Sequence, residues 1–391
     1  MPERAAAPAR PLRVALFTHS VNPRGGVVHT LELADALHRA GHKVTVLAPV
    51  APGQRLFRTP QCALELVPVP AASADVAEMV ATRIAGIVAH SAELLRHRWF
   101  DIFHAQDSIS ANALADLQMT GAVPGFVRTV HHLDRFDDER LAAWQQRGFC
   151  AAQQVLCVSR LWQSILRQQE GVPAELVANG VDLQRFQPRP EPADARTARR
   201  LGLRPGAPLV LAVGGIEERK NTLRLLEAFV RLRRQWPSAQ LVIAGGVSLL
   251  DHGSYQQAFQ AALAASGLAV GPGQDLVLTG AVPDEDMPAL MRLADVLALP
   301  SLREGFGLVV LEALASGTPV AVSHMAPFTE YLDGAPVCWA DPFDTASIAD
   351  ALRQAVALPP FAQPQVCRDF SWTASAERHA DLYHQHLGIT A

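Results

Sequence analysis

Two short stretches of this 391-residue chain have the residue types and spacing for chemistry on a charged ligand. The first is LAVGGIEERKN, residues 211–221, in which an apolar run ends at Gly214-Gly215 and a helical pattern begins near Asn221. Between them lie Glu217, Glu218, Arg219 and Lys220. A cation pair at a strand-to-helix turn suits a phosphate, with lysine as a point charge and arginine as a planar fork. A solvated charge run balanced by the two glutamates is the plain alternative. The second stretch is EGFGLVVLEALASGTPV, residues 304–320. Glu304-Gly305-Phe306-Gly307 reads as a turn into a helix from Leu308 to Ala315, whose first-turn N–H groups lack intrahelical partners. A carboxylate in that turn can accept hydrogen bonds from sugar hydroxyls. If the whole stretch were helical, Glu312 would point roughly 80° away from Glu304, so helix geometry alone does not fix its direction. Glu312 is flanked by Leu311 and Leu314, where an unpaired charge is expensive, and it needs a partner.

Smaller signals surround these two. Pro23-Arg24-Gly25-Gly26 is a turn that lets backbone N–H groups face an anion at a helix N-terminus. It is not a G-x-G-x-x-G, and no acidic residue follows the next strand closely, so a dinucleotide site there is poorly supported. His19, His104, His131 and His132 each fall at the carboxyl end of an expected strand, the end that would face outward to a ligand cleft. Asn179-Gly180-Val181-Asp182 reads most simply as a turn. Asp284-Glu285-Asp286 has the look of a metal-bound diphosphate motif, but it precedes a helical pattern and reads as a helix start with Asp284 as the cap.

The elements that must position these residues alternate. Apolar strands are expected at 12–20, 43–49, 101–107, 125–132, 153–159 and 174–180, with an amphipathic helix after the first that stops at Gly41. The second half repeats the pattern with strands at 209–215, 240–246, 275–282, 295–300, 319–323 and 336–340. Continuous apolar strands alternating with helices imply parallel sheets covered on both faces. The chain exceeds the size at which one core stops growing, so two domains follow. The Pro- and Arg-rich segment 187–207 reads as a linker running into a short helix, between domains at 1–186 and 208–370. A terminal helix at 371–391 either packs on its own domain or crosses back to the first. Two doubly wound domains would place a ligand cleft between the carboxyl ends of their sheets.

Composition excludes several classes. A net charge of -4 gives no basic footprint for nucleic acid. No run approaches the roughly 18–20 apolar residues of a membrane span. The opening MPERAAAPAR has no apolar stretch of a secretory signal and reads as a frayed terminus. Cys62, Cys150, Cys157, Cys338 and Cys367 lack zinc or disulfide spacing, and free thiols fit the cytoplasm.

Together these residues resemble retaining glycosyltransferases of family 4, over nearly the whole chain. The most specific part is E-x₇-E, here Glu304 and Glu312, followed by A-S-G-x-P-V. It is joined in order by Gly25-Gly26, TVHH at 129–132, NGVD at 179–182 and TGAV at 279–282. The resemblance implies an α/β protein of GT-B architecture, two Rossmann-like doubly wound domains facing across an interdomain cleft. It implies a donor that is a nucleoside diphosphate sugar, UDP or GDP linked, transferred with retention and without a metal ion or other cofactor. Glu304 would contact the sugar and Glu312 the ribose. Arg219 and Lys220 would bind the diphosphate with Gly214 and Gly215 beside them, and Gly25 and Gly26 would approach it from the other domain. His131 would lie near the reacting sugar. The turn at Val282 would frame the base, and the backbone from Phe306 through Gly307, Leu308 and Val309 would complete the donor site.

Many members of that family carry Gly-Arg after the strand and Lys-Gly after the turn. This chain has Gly214-Gly215 and Arg219-Lys220-Asn221, an R-K-N variant in which Arg219 stands in for the strand-end arginine. The acceptor, whether a glycan, a lipid or a small molecule, would meet loops of the first half such as 57–72. The basic-aromatic run at 96–100 is where peripheral membrane contact would be sought, and reads more simply as a helix end. A GT-B sugar-nucleotide epimerase, a sugar phosphorylase and a catalytically silent sugar-nucleotide binder are the competing readings.

Overall fold

In a computed structural model, residues 10–246, 253–359 and 361–388 are described, and they form two compact units. The first comprises residues 1–179 and 372–391, the second residues 180–371. The first unit runs β1 (Arg13–Phe17), α1 (Gly25–Arg39), β2 (Lys43–Val50), β3 (Ala63–Pro68), α2 (Val76–Leu94), β4 (Ile102–Ala105), α3 (Ser108–Met119), β5 (Val127–Val130), α4 (Glu139–Cys150), β6 (Gln154–Cys157), α5 (Arg160–Gln169) and β7 (Glu175–Leu176). All seven strands are parallel, in the order β3-β2-β1-β4-β5-β6-β7. The order reverses between β1 and β4, the switch point at which such sheets leave room for ligands beyond their carboxyl ends.

Local sequence explains where the helices start. Asp75, Asp107, Asp138 and Ser159 sit immediately before α2, α3, α4 and α5, and each side chain accepts a backbone N–H of the first turn. The strands are buried on both faces because helices cover both sides of the sheet. Phe17, Phe103, Ala105 and Leu114 belong to a core shared with α2 and α3. The edge strand β3 differs. Its alternating, half-exposed sequence ALELVP carries Glu65, so segment 57–72, expected as an acceptor loop, contains a strand paired in register with β2. The run at 96–100 follows the end of α2. There Arg96 pairs with Glu93, Arg98 with Glu65, and the Arg13 guanidinium lies 4.1 Å above the exposed Trp99 ring.

The second unit runs α6 (Pro192–Leu201), β8 (Leu209–Val213), α7 (Thr222–Leu232), β9 (Gln240–Ala244), α8 (Gly253–Ser266), β10 (Leu276–Gly280), α9 (Met287–Leu293), β11 (Val296–Leu299), α10 (Leu308–Ala315), β12 (Val320–Ser323), β13 (Val337–Ala340), α11 (Thr345–Val356) and α12 (Gln365–Asp369). Its six parallel strands are ordered β10-β9-β8-β11-β12-β13, again reversing at the strand that opens the unit. Two sheets of this kind make the protein a pair of Rossmann-like domains. Segment 187–207, expected as a linker, holds α6, which packs on α9 inside this unit. Arg292 of α9 is 4% exposed, and its Nη2 lies 2.7 Å from Asp194 Oδ1 on α6.

The chain leaves the first unit at Asn179 and re-enters it at Trp372. The segments beyond those points lie side by side, with Val181 N–H donating to the Phe370 carbonyl at 3.0 Å. From Trp372 the last helix, α13 (Trp372–His386), packs along α1 and buries Trp372, Ala376, His379, Leu382 and Tyr383. Burying each large apolar side chain contributes about 1.5–3 kcal/mol, more than a terminal helix of this length gains from its own hydrogen bonds. Its Tyr383 hydroxyl reaches His104 Nδ1, 2.6 Å away in the middle of the sheet.

Because the Arg292 guanidinium is buried against Asp194, with the more exposed Glu191 as its other counter-charge at 3.4 Å, Asp194→Ala should destabilise the protein by about 2–4 kcal/mol through loss of its main buried partner. Urea unfolding checks this. A loss below about 1 kcal/mol, the worth of an exposed pair, would show that α6 is loosely held.

Candidate functional site

The two charged stretches of the second unit meet around one carboxylate. Glu304 follows β11 in a turn and is 6% exposed. Its Oε1 accepts from Lys220 Nζ at 2.7 Å and Ser301 Oγ at 2.9 Å, and its Oε2 accepts from Arg219 Nη1 at 3.1 Å. Backbone bonds sew the same loops together, with Leu302 N–H donating to the Arg219 carbonyl at 2.9 Å. Burial by itself would raise the Glu304 pKa; Lys220 and Arg219, with hydrogen bonds from Lys220 and Ser301, outweigh it and hold the value at about 2. The Lys220 pKa is lowered as well, but there burial is the cause. Desolvation lowers its pKa with help from Arg219, while Glu304 and Glu217 oppose the shift. Glu217, in the same turn as the two cations, is also buried and reaches Arg219 Nη2 at 3.3 Å, while Glu218 beside it is exposed. The charge run is therefore partly folded inward and not simply a solvated face.

Three backbone features allow this packing. Gly214 has φ +129°, and a Cβ there would come within 2.5 Å of Lys220 Cε, so the lysine stem lies across a glycine. Asn221 is the one non-glycine with positive φ among the described residues, at 58°. Asparagine tolerates that conformation because its side chain can bond locally. Here the buried amide donates to the carbonyls of Pro300 and Pro342 at 3.0 and 2.7 Å, pinning the turn to the ends of β11 and β13. The R-K-N sequence thus places asparagine where a left-handed residue is required. Gly307, φ +91°, precedes α10 with no side-chain cap, and a Cβ would sit 2.5 Å from Phe328 Cε1. Phe306 stacks flat on Tyr331, centroids 4.7 Å apart, and the Tyr331 hydroxyl donates to the Phe306 carbonyl at 2.7 Å. The Leu308 and Val309 backbone follows, half-buried, at the start of α10, and Glu312 is half-buried one turn further on. Val282 lies just past β10.

In the first unit, Gly25 and Gly26 open α1, again with no side-chain cap on Arg24. His131 lies just past β5, and a Cβ on Gly26 would be 3.5 Å from its Cδ2. His131 belongs to a buried cluster of imidazoles. The His29 ring meets it edge-on at 4.6 Å, and His29 also meets Trp372 at 5.3 Å and His379 at 6.2 Å. Burial lowers all four histidines of this cluster, aided by their mutual repulsion or a nearby arginine. His29 is lowered to about 3, His379 to about 4, and His104 and His131 lie well below the ordinary value.

Several sequence expectations need correction. His104 does not face outward from a strand end. It is inside β4, fully buried, between Tyr383 and Thr129, whose Oγ1 is 2.7 Å from its Nε2. Asn179 is more than a turn residue, since its Oδ1 lies 2.9 Å from His29 Nδ1. Asp284 does not cap α9. It sits in a 3₁₀ turn and pairs with Arg185 at 2.9 Å, while Asp286 pairs with Arg200. Of the other histidines, His19 lies 3.5 Å from Asp107, and His132 is exposed beside Asp134. Sequence reasoning missed Ser301, Tyr331, His29 and Trp372. His29 carried a signal: it lies three residues after Gly26 on the helical face that it shares with Leu33 and Leu37. Among the described residues no three His, Cys, Asp or Glu side chains converge to hold a metal ion, and no helix is long and apolar enough to cross a membrane.

Comparison with known proteins gives this arrangement its family. The family described as glycosyl transferases group 1 matches residues 194–369, and glycosyltransferase family 4 matches residues 23–185. The phosphatidyl-myo-inositol mannosyltransferase of Mycobacterium tuberculosis is 30% identical over 349 residues, covering 85% of this chain and 84% of that protein. The D-inositol 3-phosphate glycosyltransferase of Corynebacterium jeikeium is 30% identical over 312 residues, covering 73% of this chain and 72% of that protein. The chain belongs to glycosyltransferase family 4. It is a hexosyltransferase-type glycosyltransferase. Among solved structures, sucrose-phosphate synthase from Thermosynechococcus elongatus matches its fold with a TM-score of 0.75 at 21% identity, over 97% of this chain and all of that one. Anabaena HepE in complex with UDP and glucose matches with a TM-score of 0.72 at 16% identity, over 95% and 99%. The two Rossmann-like units of this glycosyltransferase are thus those of the GT-B fold.

The imidazole cluster makes a prediction about acid. Its histidines have folded pKa values below the ordinary 6.5, so their contribution is complete above that pH. It is lost as pH falls from 6.5 toward 3, because the unfolded chain takes up protons that the folded one refuses. Each histidine adds a slope of up to about 1.4 kcal/mol per pH unit in that window. Urea midpoints should therefore fall steadily from pH 7 to pH 5. A midpoint flat until pH 4.5, where carboxylates such as Glu304 begin to act, would contradict the assignment.

Proposed function

We propose that this enzyme moves a hexose from a nucleoside diphosphate sugar, UDP or GDP linked, to an acceptor hydroxyl, with retention at the anomeric carbon and without a metal ion. The observation that supports this reading is the ionised Glu304 held by Lys220, Arg219 and Ser301 just before α10. A carboxylate with fixed oxygens suits the recognition of sugar hydroxyls. Three donors and a pKa of about 2 leave it a weak base, which favours positioning over nucleophilic attack on the sugar. Attack by the acceptor on the face from which the diphosphate leaves then accounts for retention.

Lys220 gives one of its three N–H donors to Glu304, which leaves two for phosphate oxygens; Arg219 supplies the fork. The uncapped start of α10, with the backbone of Phe306, Gly307, Leu308 and Val309, adds N–H groups and the positive end of a helix dipole. These groups stabilise charge on the departing diphosphate and take the place of a metal. Gly214 and Gly215 give the lysine its path, Val282 flanks the base, and Glu312 holds the ribose. In the first unit Gly25 and Gly26 present α1 to the diphosphate, and neutral His131 hydrogen-bonds the transferred sugar. The acceptor is a hydroxyl compound of the kind named in the relatives, a polyol or its lipid-linked form, and the reaction takes place in the cytoplasm.

Calorimetric titration of UDP, GDP and ADP into the wild type and Lys220→Ala tests the reading. One nucleotide should saturate the wild type, and the substitution should weaken it by about tenfold, the worth of one charge-assisted hydrogen bond. Equal affinity in the two proteins would remove Lys220 from the diphosphate site. Loss of turnover in EDTA, restored by magnesium, would remove the metal-free mechanism.

A further inference from the structure

His131 has no hydrogen-bond partner on Nε2, although that atom is buried. What fixes its ring is packing, and the ring packed against it is that of His29, edge-on at 4.6 Å. His29 is in turn held from two directions. Its Nδ1 lies 2.9 Å from Asn179 Oδ1, so with the amide oxygen as acceptor a proton resides on Nδ1, and burial keeps the ring neutral. Its ring also meets Trp372 edge-on at 5.3 Å. His29 is fully buried, and Trp372 and Asn179 are 3% and 4% exposed. These partners come from far along the chain: Asn179 is the last residue of the first unit before the chain leaves it, and Trp372 the first on its return.

A histidine so enclosed is more than filler for an apolar core, because leucine would fill the space without an amide partner. From this we infer that His29 is the positioning residue for His131, with Asn179 and Trp372 as the two walls that fix it. The last helix of the chain then helps to set the geometry at the reacting sugar. The inference rests on the role given to His131 above. His29 itself touches no substrate; it acts through the ring it supports.

A double-mutant cycle tests this, with UDP-glucose and GDP-mannose as donors, water as acceptor, and released UDP or GDP as the signal. His29→Ala should lower kcat about tenfold or more, as small misplacements of a reacting group do, with little change in donor KM. In a His131→Ala background the same substitution should add nothing, because the ring it supports is gone. His29→Phe, which keeps the edge-on contact but loses the bond to Asn179, should recover part of the rate. Equal losses in both backgrounds, a change carried by KM, or a phenylalanine variant no better than alanine would each overturn the inference. A His131→Ala enzyme as fast as the wild type is a different failure: it would remove His131 from the reaction itself. Should His29→Ala fail to fold, Asn179→Ala, which releases His29 on one side, replaces it in the cycle with the same outcomes. In protein labelled with ¹⁵N-histidine and free of donor, the His131 ring resonances should move in His29→Phe or Asn179→Ala while those of His132 stay in place. Unmoved His131 resonances would likewise overturn it.

Discussion

A carboxylate taken out of water must be met by charge, and in the second domain that requirement organises everything near the ends of β8 and β11. Glu304 is nearly fully buried, and its compensation comes from two cations 84 and 85 positions away in sequence. Bringing them there demands that the turn after β8 be tight enough to reach the turn after β11. Asn221 in a left-handed conformation, with its amide bonded to the carbonyls of Pro300 and Pro342, meets that demand. The glycine under Lys220 serves the same end. Remove the carboxylate and Lys220 loses its paired counter-charge while Arg219 keeps Glu217; remove a cation and the carboxylate is left under-compensated in a poorly solvated place. The cluster is stable only as a whole, which is a useful property for a site that must hold its oxygens still.

The first domain solves a different problem with neutral groups. Its polar interior is made of imidazoles kept uncharged by burial, linked to a tyrosine, a threonine and an amide. A neutral imidazole can donate from one nitrogen and accept at the other without the desolvation cost of a charge. The ion cluster around Glu304 and the imidazole cluster around His29 are thus two different ways of burying polar groups.

Much of the architecture was legible in the sequence. Strands buried on both faces read as continuous apolar runs, and twelve of them were marked by composition alone. What escaped was what lacked that signature. The edge strand β3 carries Glu65 among alternating exposed positions, and α6, expected as a short helix at the end of a linker, gave no sign that it packs on α9. The charged stretches at 217–220 and 304–312 stood out by residue type, yet their contact with each other depends on strand order, which no local pattern encodes. His104 was misread for the same reason. A histidine near a strand end looks the same whether it faces solvent or a tyrosine 279 residues further on. Asn179 was misread because an Asn-Gly pair signals a turn so strongly that a second use of the side chain is hidden.

The return of the chain to its starting domain bears on how the protein is made. The interior of the first domain is incomplete until Trp372, His379 and Tyr383 arrive, and these are made only after the whole of residues 180–371. Domains generally fold as units during synthesis, the N-terminal one first. Here the earlier domain must wait with a polar, partly filled core while the later one, residues 180–371, can close on its own. The second domain is thus placed to close first in time although it begins later in sequence.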